Sequence, residues 1–561
     1  MKDRRKRSAF SWRALFFFLT VVILSLAAFS SSLARLWLAV EFGAGSFQPK
    51  LISKRNIPAM EVISAENCES PAAVSVSIRE TVIFPDEAVV FLKYPPSASL
   101  FTKDDINCIY LFPNSSHPQL FLSPSATDSD GGGHHIVRCP PPPRGTTVSL
   151  SIKHNGDHLA PGRMQRWDSL AYEAMIDDSD NTTLVFVKGL NLRSGRAADS
   201  SEFKCVYGSD SVVSAEAVSA AQEVVRCRTP LSVLNGTHPD NSIKVSVRVV
   251  GRQAVDSAAR LQSPELPPLP SKGGSSGKPH KMCVCTMLRN QARFLPEWIM
   301  YHGRVGVERW FIYDNNSNDE VDSVVGSLAG LGYKVSRHLW PWIKTQEAGF
   351  AHCAVRARDS CEWVGFIDVD EFLHLPSGSS SLYDDVIRPL GAEEKVGEVR
   401  VACHSFGPSG LREAPARGVM AGYTCRLAAP ERHKSIVRPE ALDASLINLV
   451  HHFHLKFGFR HVNVNRTSLV INHYKYQVWE VFKEKFYRRV ATYVSDWQQE
   501  RNVGSKDRAP GLGTKAVEPS DWPSRFCQVK DTNLRDRILD TFTDPQTGYL
   551  PWEAQHRRSQ T

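Results

Sequence analysis

Hydrophobic and polar positions follow three different patterns in succession along this chain. Residues 14–34 form an uncharged apolar run, and at about 1.5 Å per residue a helix of that length spans a hydrocarbon core of about 30 Å. From about residue 68 to residue 252, apolar and polar residues alternate in short segments separated by Pro, Gly, Asp and Ser, which predicts β-strands. Beyond residue 281, short apolar runs alternate with stretches of helical periodicity, which predicts an α/β domain.

The alternating region also contains an internal repeat. Its clearest strands are predicted at 74–78, 89–93, 184–188 and 243–249, and together they indicate a β-sandwich. The order VVFLK, NCIY, VRCPPP, VSLSIK in its first half returns as LVFVK, KCVY, VRCRTP, VSVRVV in its second half. We therefore expect two related β units. Each unit would carry one disulfide, Cys108–Cys139 in the first and Cys205–Cys227 in the second.

The segments after the repeat alternate as in an α/β domain. Strands are predicted at 282–286, 309–313 and 363–367, and helices at 293–305, 348–358 and, with a basic face, 477–498. A Pro-, Gly- and Ser-rich stretch precedes them and predicts a linker. The chain is thus divided into a basic tail at 1–13, an apolar helix at 14–34, a stem at 35–66, a β-sandwich-like domain at 67–255, a linker at 256–281 and an α/β domain at 282–561.

Charge and cysteine content indicate the compartment. The 561 residues carry a net charge of +8, but residues 1–13 hold six basic residues and one acidic residue, so the remainder is close to neutral. That excludes the large basic surface that a nucleic-acid partner requires. The basic tail predicts a single-pass membrane anchor with a cytosolic N-terminus; the alternative is a signal peptide cleaved after Ala34. All 12 cysteines follow this segment, as expected for disulfides. Cys283 and Cys285 lack the second close-spaced pair of a zinc site.

An acidic motif follows the strand predicted at 363–367. Asp368 and Asp370 alternate as they leave the strand and can therefore share one ligand. Carboxylates at the carboxyl edge of an α/β sheet suit Mn²⁺ or Mg²⁺, which prefers oxygen ligands and neutralises a diphosphate. A solvated turn is the alternative for an isolated DxD motif, but here a strand precedes the motif and Glu371 follows it.

A second set of polar residues lies where two earlier strands end. These residues are Thr286, Arg289, Asn290, Asp314 and Asn316. We expect them to bind a nucleotide, with Asp314 accepting hydrogen bonds from a ribose or base edge and Arg289 contacting phosphate. Trp298 and Tyr301, in the helix between the strands, are expected to pack in the core.

Several segments in order resemble glycosyltransferase family 92, and within it the plant β-1,4-galactan synthases. They lie within residues 282–555 and read RNQARFLPEWIMYHGRVGVERWFIYDNNSNDE, QEAGFAHCAVR, FIDVDEF, HSFGPSG, ERHKSIVRP and INHYKYQVWEVFKEKF. The resemblance implies a GT-A-type nucleotide-sugar transferase domain, preceded here by an all-β sandwich-like domain and one N-terminal transmembrane helix. It also implies a type II Golgi enzyme that uses UDP-galactose, inverts the anomeric carbon and binds Mn²⁺ at the DxD motif.

The resemblance extends to further site residues, each with a structural alternative. His473 would be the third metal ligand, or else a hydrogen-bonded core histidine. Lys434 and Arg432 would contact the diphosphate, or else are surface charges. Glu413 and Glu431 are the two candidates for the base that deprotonates the acceptor hydroxyl, and both have surface carboxylates as the alternative.

Aromatic and histidine residues leave two questions open. Trp340 and Trp342 are suited to stack on sugar rings, and core packing is the alternative. The histidines at 451, 452 and 454 resemble a metal cluster, but on a strand His451 points away from the other two, so we do not expect one.

Two classes of function compete. The first is an enzyme that extends β-1,4-galactan side chains of pectin, or alternatively galactosylates glycoprotein glycans. The second is a non-catalytic lumenal lectin or scaffold. For the β domain we expect a galactan-binding module, with a dimerisation or spacer domain as the alternative. A homodimer is an expectation from other Golgi transferases, not from this sequence.

Overall fold

The computed structural model describes eleven stretches of the chain. They are residues 76–95, 98–113, 119–130, 134–154, 156–208, 213–235, 242–262, 277–393, 395–449, 451–493 and 517–553. The predicted tail, anchor and stem, and most of the linker, lie outside these stretches. Within them, no helix combines the length and apolar character needed to cross a membrane.

The first β unit is a sandwich of two antiparallel-rich sheets. Its strands are β1 Ser77–Ile83, β2 Ala88–Lys93, β3 Ile106–Leu111, β4 Gln119–Leu122, β5 Ala126–Ser129, β6 His135–Cys139, β7 Thr147–Ile152 and β8 Arg163–Arg166. One sheet has the order β5-β6-β2-β1-β8 and the other the order β4-β3-β7. The disulfide Cys108–Cys139 joins β3 of one sheet to β6 of the other, which confirms the first predicted pairing.

The second β unit follows directly and contains the second predicted disulfide. Its elements are β9 Leu170–Asp177, β10 Thr182–Lys188, β11 Phe203–Tyr207, β12 Val213–Ala221, β13 Val224–Arg228, α1 Leu231–Leu234, β14 Ser242–Val249 and β15 Arg260–Gln262. Neighbouring strands are hydrogen-bonded in the order β15-β14-β11-β12-β13-β10-β9. Cys205 of β11 is bonded to Cys227 of β13, as predicted.

The sequence repeat corresponds to a repeat of strand pairing. β2 pairs with β6 and β3 with β7 in the first unit, and β10 pairs with β13 and β11 with β14 in the second. The units differ at β12, one continuous strand that pairs with both β11 and β13. The same position in the first unit is split into β4 and β5 around Pro124, because proline has no N–H for a strand ladder.

The third part is the predicted α/β domain. Its strands are β16 His280–Leu288, β17 Arg309–Asp314, β18 Val335–Leu339, β19 Cys361–Phe366, β20 Glu371–His374, β21 Val396–Ser405, β22 Cys425–Arg426, β23 Arg432–Val437, β24 Asn448–Leu449, β25 His452–Phe453, β26 Arg460–Asn463, β27 Val470–His473 and β28 Val529–Lys530. Its helices are α2 Leu295–Arg304, α3 Val321–Gly330, α4 Gln346–Ala357, α5 Arg388–Gly391, α6 Val419–Gly422, α7 Trp479–Tyr493 and α8 Asn533–Phe542. The predicted strands and helices of this domain are confirmed, and α7 covers the described part of the helix predicted at 477–498.

A mixed nine-stranded sheet forms the centre of this domain. Its main path is β18-β17-β16-β19-β23-β21-β27-β20, and β26 pairs with β21. The four strands from β18 to β19 are parallel, so their carboxyl ends lie at one edge. Cys283 and Cys285 of β16 are bonded to Cys361 and Cys353, which accounts for both without a zinc site.

The β units and the α/β domain share one apolar core. Trp342 is 2% exposed, and its ring stacks on Phe91 at 5.5 Å and on Trp167 at 5.6 Å between centroids. Trp340 is fully buried and meets Tyr172 and Phe186 edge-on. Neither tryptophan offers a face to a sugar, so the stacking interpretation is wrong and the core-packing alternative is correct.

We expect Trp342→Ala to destabilise the whole chain, because it removes the ring on which aromatic residues from both parts pack. A large-to-small change at such a site costs about 3–5 kcal/mol. Thermal unfolding should show a lower midpoint for this variant. Leu331→Ala, which truncates a side chain that is 56% exposed, serves as the control and should behave as wild type. An unchanged midpoint for Trp342→Ala would mean that the shared core does not exist in solution.

Candidate active site

The acidic motif occupies the turn between β19 and β20, at the carboxyl edge of the sheet. The turn is closed from within, because the backbone N–H of Asp368 donates to Glu371 Oε2 at 3.0 Å and the N–H of Glu371 donates to the Asp368 carbonyl at 3.0 Å. β20 pairs antiparallel with β27, with Glu371 opposite His473. This register places His473 beside the motif, although it lies 102 positions after Glu371 in the chain.

Helix α2 fixes the strand that leaves the motif. The indole N–H of Trp298 donates to the Glu371 carbonyl at 2.9 Å, and the Tyr301 hydroxyl donates to the Leu373 carbonyl at 2.7 Å. The backbone N–H of Leu373 donates in turn to His302 Nε2 at 3.2 Å. Trp298 and Tyr301 are 0% and 2% exposed, so the predicted core packing is confirmed and also has a positioning effect.

A buried lysine joins the carboxylates of the motif. Lys434 Nζ lies 3.0 Å from Asp368 Oδ2 and 2.9 Å from Glu371 Oε1. It also donates to His451 Nε2 at 2.5 Å, while His451 Nδ1 donates to the Phe366 carbonyl at 3.0 Å. Burial lowers the pKa of His451 to about 3, so the ring is neutral and can accept from the ammonium.

The charges of this group support one another. Burial alone would raise the pKa of Asp368, but the adjacent Lys434 ammonium outweighs it and holds the pKa well below the usual range. Burial would likewise lower the pKa of Lys434, and Asp368 and Glu371 raise it instead. The pKa of Glu371 is raised, because burial and the neighbouring Asp368 charge exceed the effect of the one shared ammonium.

Asp370 and His473 form the other half of the site. His473 Nε2 lies 3.4 Å from Asp370 Oδ2, and His473 Nδ1 lies 3.4 Å from Glu371 Oε1. At this separation His473 Nε2 makes no hydrogen bond within the described part of the chain, although it is buried. Burial would raise the pKa of Asp370, yet the contacting Lys485 ammonium and His473 keep it well below the usual value.

These donors fit a divalent cation. Ionised carboxylates and an imidazole nitrogen are ligands that Mn²⁺ accepts and that Mg²⁺ accepts in part. The ammonium of Lys485 lies against Asp370, which shows that the site attracts positive charge. The metal-binding roles of Asp368, Asp370 and His473 remain predictions: Asp370 and His473 are in contact, whereas Asp368 is bound by Lys434.

The predicted nucleotide residues are placed differently from what we expected. Asp314 is fully buried, and its carboxylate accepts from the Ser317 N–H at 2.9 Å and from Arg337 Nε at 2.8 Å. The loop after β16 is tied to the loop after β17, because the Asn290 N–H donates to Ser317 Oγ at 2.9 Å. Asp314 therefore stabilises the loop through Arg337 instead of presenting a carboxylate to a ribose. Sequence reasoning missed Arg337, which lies on another strand.

The other three nucleotide candidates also differ from one another. Thr286 is 0% exposed inside β16, which leaves no surface for a ligand. Asn316 is buried and donates through Nδ2 to Glu87 Oε1 at 3.0 Å. Arg289 is half-buried near Glu87. Glu87 belongs to the β1–β2 turn, so the first β unit reaches the edge where we expected the nucleotide.

The two candidate bases are separated by the fold. Glu431 Oε2 accepts from Ser405 Oγ at 2.5 Å and from Lys475 Nζ at 3.0 Å. Burial would raise the pKa of Glu431, and these two donors lower it instead; His473 acts in the same direction from nearby. Glu413 lies in an exposed loop. The structure thus brings Glu431, and not Glu413, next to a predicted metal ligand.

The histidines at 451, 452 and 454 do not share contact partners. His451 contacts Lys434 at the motif, whereas His452 Nδ1 lies 2.8 Å from Ser435 Oγ and 3.5 Å from Glu398 Oε1. His454 is exposed. The expectation that these histidines form no common metal site agrees with this arrangement.

Known proteins resemble the chain over nearly its full length. The model of glycosyltransferase family 92 matches residues 278–503. A family 92 glycosyltransferase of Ricinus communis is 56% identical, and the match covers 99% of this chain and 100% of that protein. Members from Oryza sativa subsp. japonica and Arabidopsis thaliana are 49% and 44% identical, over 92% and 91% of this chain and 91% and 90% of their own.

Solved structures resemble the chain only weakly. A mannosyltransferase of Pyrobaculum calidifontis, in complex with GDP-Man and Mn²⁺, is 13% identical with a TM-score of 0.26, over 52% of this chain and 83% of its own. S. aureus TarS 1–349 in complex with UDP is 12% identical with a TM-score of 0.24, over 39% and 69%. At these TM-scores the likeness identifies neither a shared architecture nor a shared substrate.

We expect Lys434→Met to destabilise the fold in a pH-dependent way, because two buried carboxylates lose their ammonium. Breaking such a pair costs about 3–5 kcal/mol. The depressed pKa of Asp368 contributes stability above its unfolded pKa of about 3.9, and that contribution is lost as pH falls through the folded value. The gap between wild type and variant should therefore be widest near neutral pH and narrow in acid.

Thermal unfolding in buffer with EDTA, from about pH 7 to about pH 2, measures this gap. The matched control is Arg432→Met, which removes an exposed charge from the same strand. A gap of equal size at all pH values would show that Lys434 acts through packing alone.

Proposed function

The chain belongs to glycosyltransferase family 92, and from that premise we propose that it is an inverting, metal-dependent galactosyltransferase. It would move galactose from UDP-galactose onto β-1,4-galactan, a side chain of pectin. The single observation that carries the proposal is that His473 of β27 lies 3.4 Å from Asp370, in the acidic turn that also contains Asp368. UDP-galactose and galactan rest on the resemblance of the sequence motifs. The same resemblance supports a GT-A-type fold and a type II position in the Golgi membrane.

The donor would bind at the edge formed by β16, β17 and the acidic turn. Mn²⁺ or Mg²⁺ held by Asp368, Asp370 and His473 would neutralise the charge that develops on the UDP leaving group. Lys434 keeps Asp368 ionised and oriented, so we assign it a positioning role in place of the diphosphate contact expected from the sequence. Arg289, half-buried beside the nucleotide loops, is the guanidinium available for a phosphate.

The acceptor hydroxyl needs a base on the side of the sugar opposite the leaving group. Inversion takes one displacement through an oxocarbenium-like transition state, and the base removes the proton as the new bond forms. Glu431 is suited to this role because Ser405 and Lys475 lower its pKa, so it is ionised at neutral pH. Its position near His473 supports an acceptor path on this side of the motif.

A non-catalytic lectin is the second candidate function. One observation favours it: β4 presents three neighbouring apolar side chains to solvent, at 39%, 45% and 36% exposure for Leu120, Phe121 and Leu122. Such a surface suits the apolar faces of pyranose rings, and it also fits a galactan-binding module within an enzyme. Product formation would exclude the lectin, whereas galactan binding without elongation or UDP release would support it.

The first assay combines the full chain, purified from a eukaryotic secretory host in detergent, with UDP-galactose, Mn²⁺ and a β-1,4-galactan oligomer. We expect longer oligomers from wild type, and a loss of at least about 100-fold in Asp370→Asn, because the metal supplies several kcal/mol. Asp385→Asn, which changes an exposed carboxylate in the helical segment Tyr383–Ile387, is the control. Equal activity in all three proteins would refute the metal site. UDP release without elongation would refute the acceptor, and glycoprotein glycans would be tested next.

We expect Glu431→Gln to lower kcat by about 100- to 10,000-fold with little change in KM, because the amide cannot accept a proton. Glu413→Gln is the matched control and should retain wild-type kcat. Steady-state kinetics with varied acceptor measure both constants. The opposite outcome, with activity lost in Glu413→Gln alone, would assign the base to the exposed loop.

A further inference from the structure

A second group of ligating side chains lies far from the acidic turn, where the first β unit meets the α/β domain. Asp130 follows β5, His134 precedes β6, and His338 belongs to β18 of the central sheet. Each residue directs one ligating atom to a common point, and these atoms lie within 4.8 Å of one another.

The distances match those of a metal site. His134 Nδ1 lies 3.2 Å from Asp130 Oδ2, and His338 Nδ1 lies 3.4 Å from the same oxygen. In a tetrahedral zinc site with ligands at about 2.0–2.1 Å, neighbouring ligand atoms are about 3.3 Å apart. The pairs that are measured here therefore already have the spacing that a bound zinc ion imposes.

The group is enclosed. The side chains of Asp130, His338 and His134 are 1%, 9% and 19% exposed. This is not a chance cluster of surface charges.

Neighbouring groups orient the ligands. Glu173 Oε2 lies 4.0 Å from His134 Nε2, on the side of the ring away from Asp130, and is held by the indole N–H of Trp342 at 3.3 Å. A carboxylate behind an imidazole favours the tautomer with its proton on that side, which leaves the opposite nitrogen to the metal. Asp130 Oδ2 also accepts from the Leu339 N–H at 3.0 Å, which fixes the carboxylate against β18.

We propose that Asp130, His134 and His338 bind one zinc ion, which links the first β unit to the α/β domain. Two imidazoles and a carboxylate are a donor set that zinc prefers over Mn²⁺ or Mg²⁺. Three protein ligands leave the fourth tetrahedral position to water. The site lies at β18, the end of the central sheet opposite β20, and its three residues are not among those assigned to the proposed reaction.

Such a link would act on the nucleotide edge. Arg337, next to His338, contacts both Asp128 of β5 at 2.9 Å and Asp314 at 2.7 Å. An ion that holds the β5–β6 segment on β18 therefore also holds the arginine that fixes the Asp314 loop. Without zinc, His134 would instead lie as a protonated imidazolium between Asp130 and Glu173. The test distinguishes this metal-free arrangement from the zinc site.

The test measures zinc in the full chain, purified without chelators and analysed by elemental mass spectrometry. We expect about one zinc per chain in wild type, in His135→Ala and in Asp370→Asn, and less than about a tenth of that in His338→Ala. His135 is the matched control because it neighbours His134 but packs its ring on Tyr94. Zinc retained in His338→Ala, or lost in Asp370→Asn alone, would overturn the proposal.

A second measurement needs no variant. Wild type is treated with a chelator, dialysed and titrated with Zn²⁺ while thermal unfolding is followed. We expect the midpoint to fall on chelation and to return with one equivalent of Zn²⁺, since an ion that binds only the folded state stabilises it. Wild type that contains no zinc and whose midpoint does not respond to Zn²⁺ would contradict the site, and the metal-free imidazolium would then be the correct account.

Discussion

One buried ammonium organises the acidic end of the central sheet. Lys434 meets the fully buried Glu371, the largely buried His451 and the partly exposed Asp368. A carboxylate moved into such surroundings alone would take up a proton, and the ammonium is what keeps Asp368 charged there. The turn between β19 and β20, and with it the strand that pairs with β27, depends on this one interaction between distant segments.

The β units are part of the same folded body as the α/β domain. Trp342 stacks between rings from the β region, and Glu87 reaches the loop that contains Asn316. A module that only held a polymer nearby would need neither contact. Instead, the geometry of the loop after β17 depends on the β region. Glu87, which contacts Asn316 of this loop, lies more than two hundred positions earlier in the chain.

Local signals in the sequence were sufficient for three strands and three helices of the α/β domain, for the repeat and for two disulfides, because alternation, apolar runs and repeated cysteines are properties of neighbouring residues. The DxD motif was found in the same way, from a strand and the residues that follow it. The role of Asp314 could not be predicted, since a carboxylate at a strand end looks the same whether it faces a ribose or a buried arginine. Its partner Arg337, like the partners of Trp342, comes from a segment that only the tertiary fold brings close.

The split between β4 and β5 has an evolutionary reading. Two units with the same strand pairing and the same cysteine positions are what a tandem duplication leaves behind. In the second copy β12 is continuous and pairs with strands of its own unit on both sides. In the first copy the chain breaks at Pro124, so β5 pairs with β6 on one side only, and its Asp128 contacts Arg337. After duplication, divergence of the first copy thus left one edge of β5 without a strand partner in its own unit, and β5 became a contact with the α/β domain.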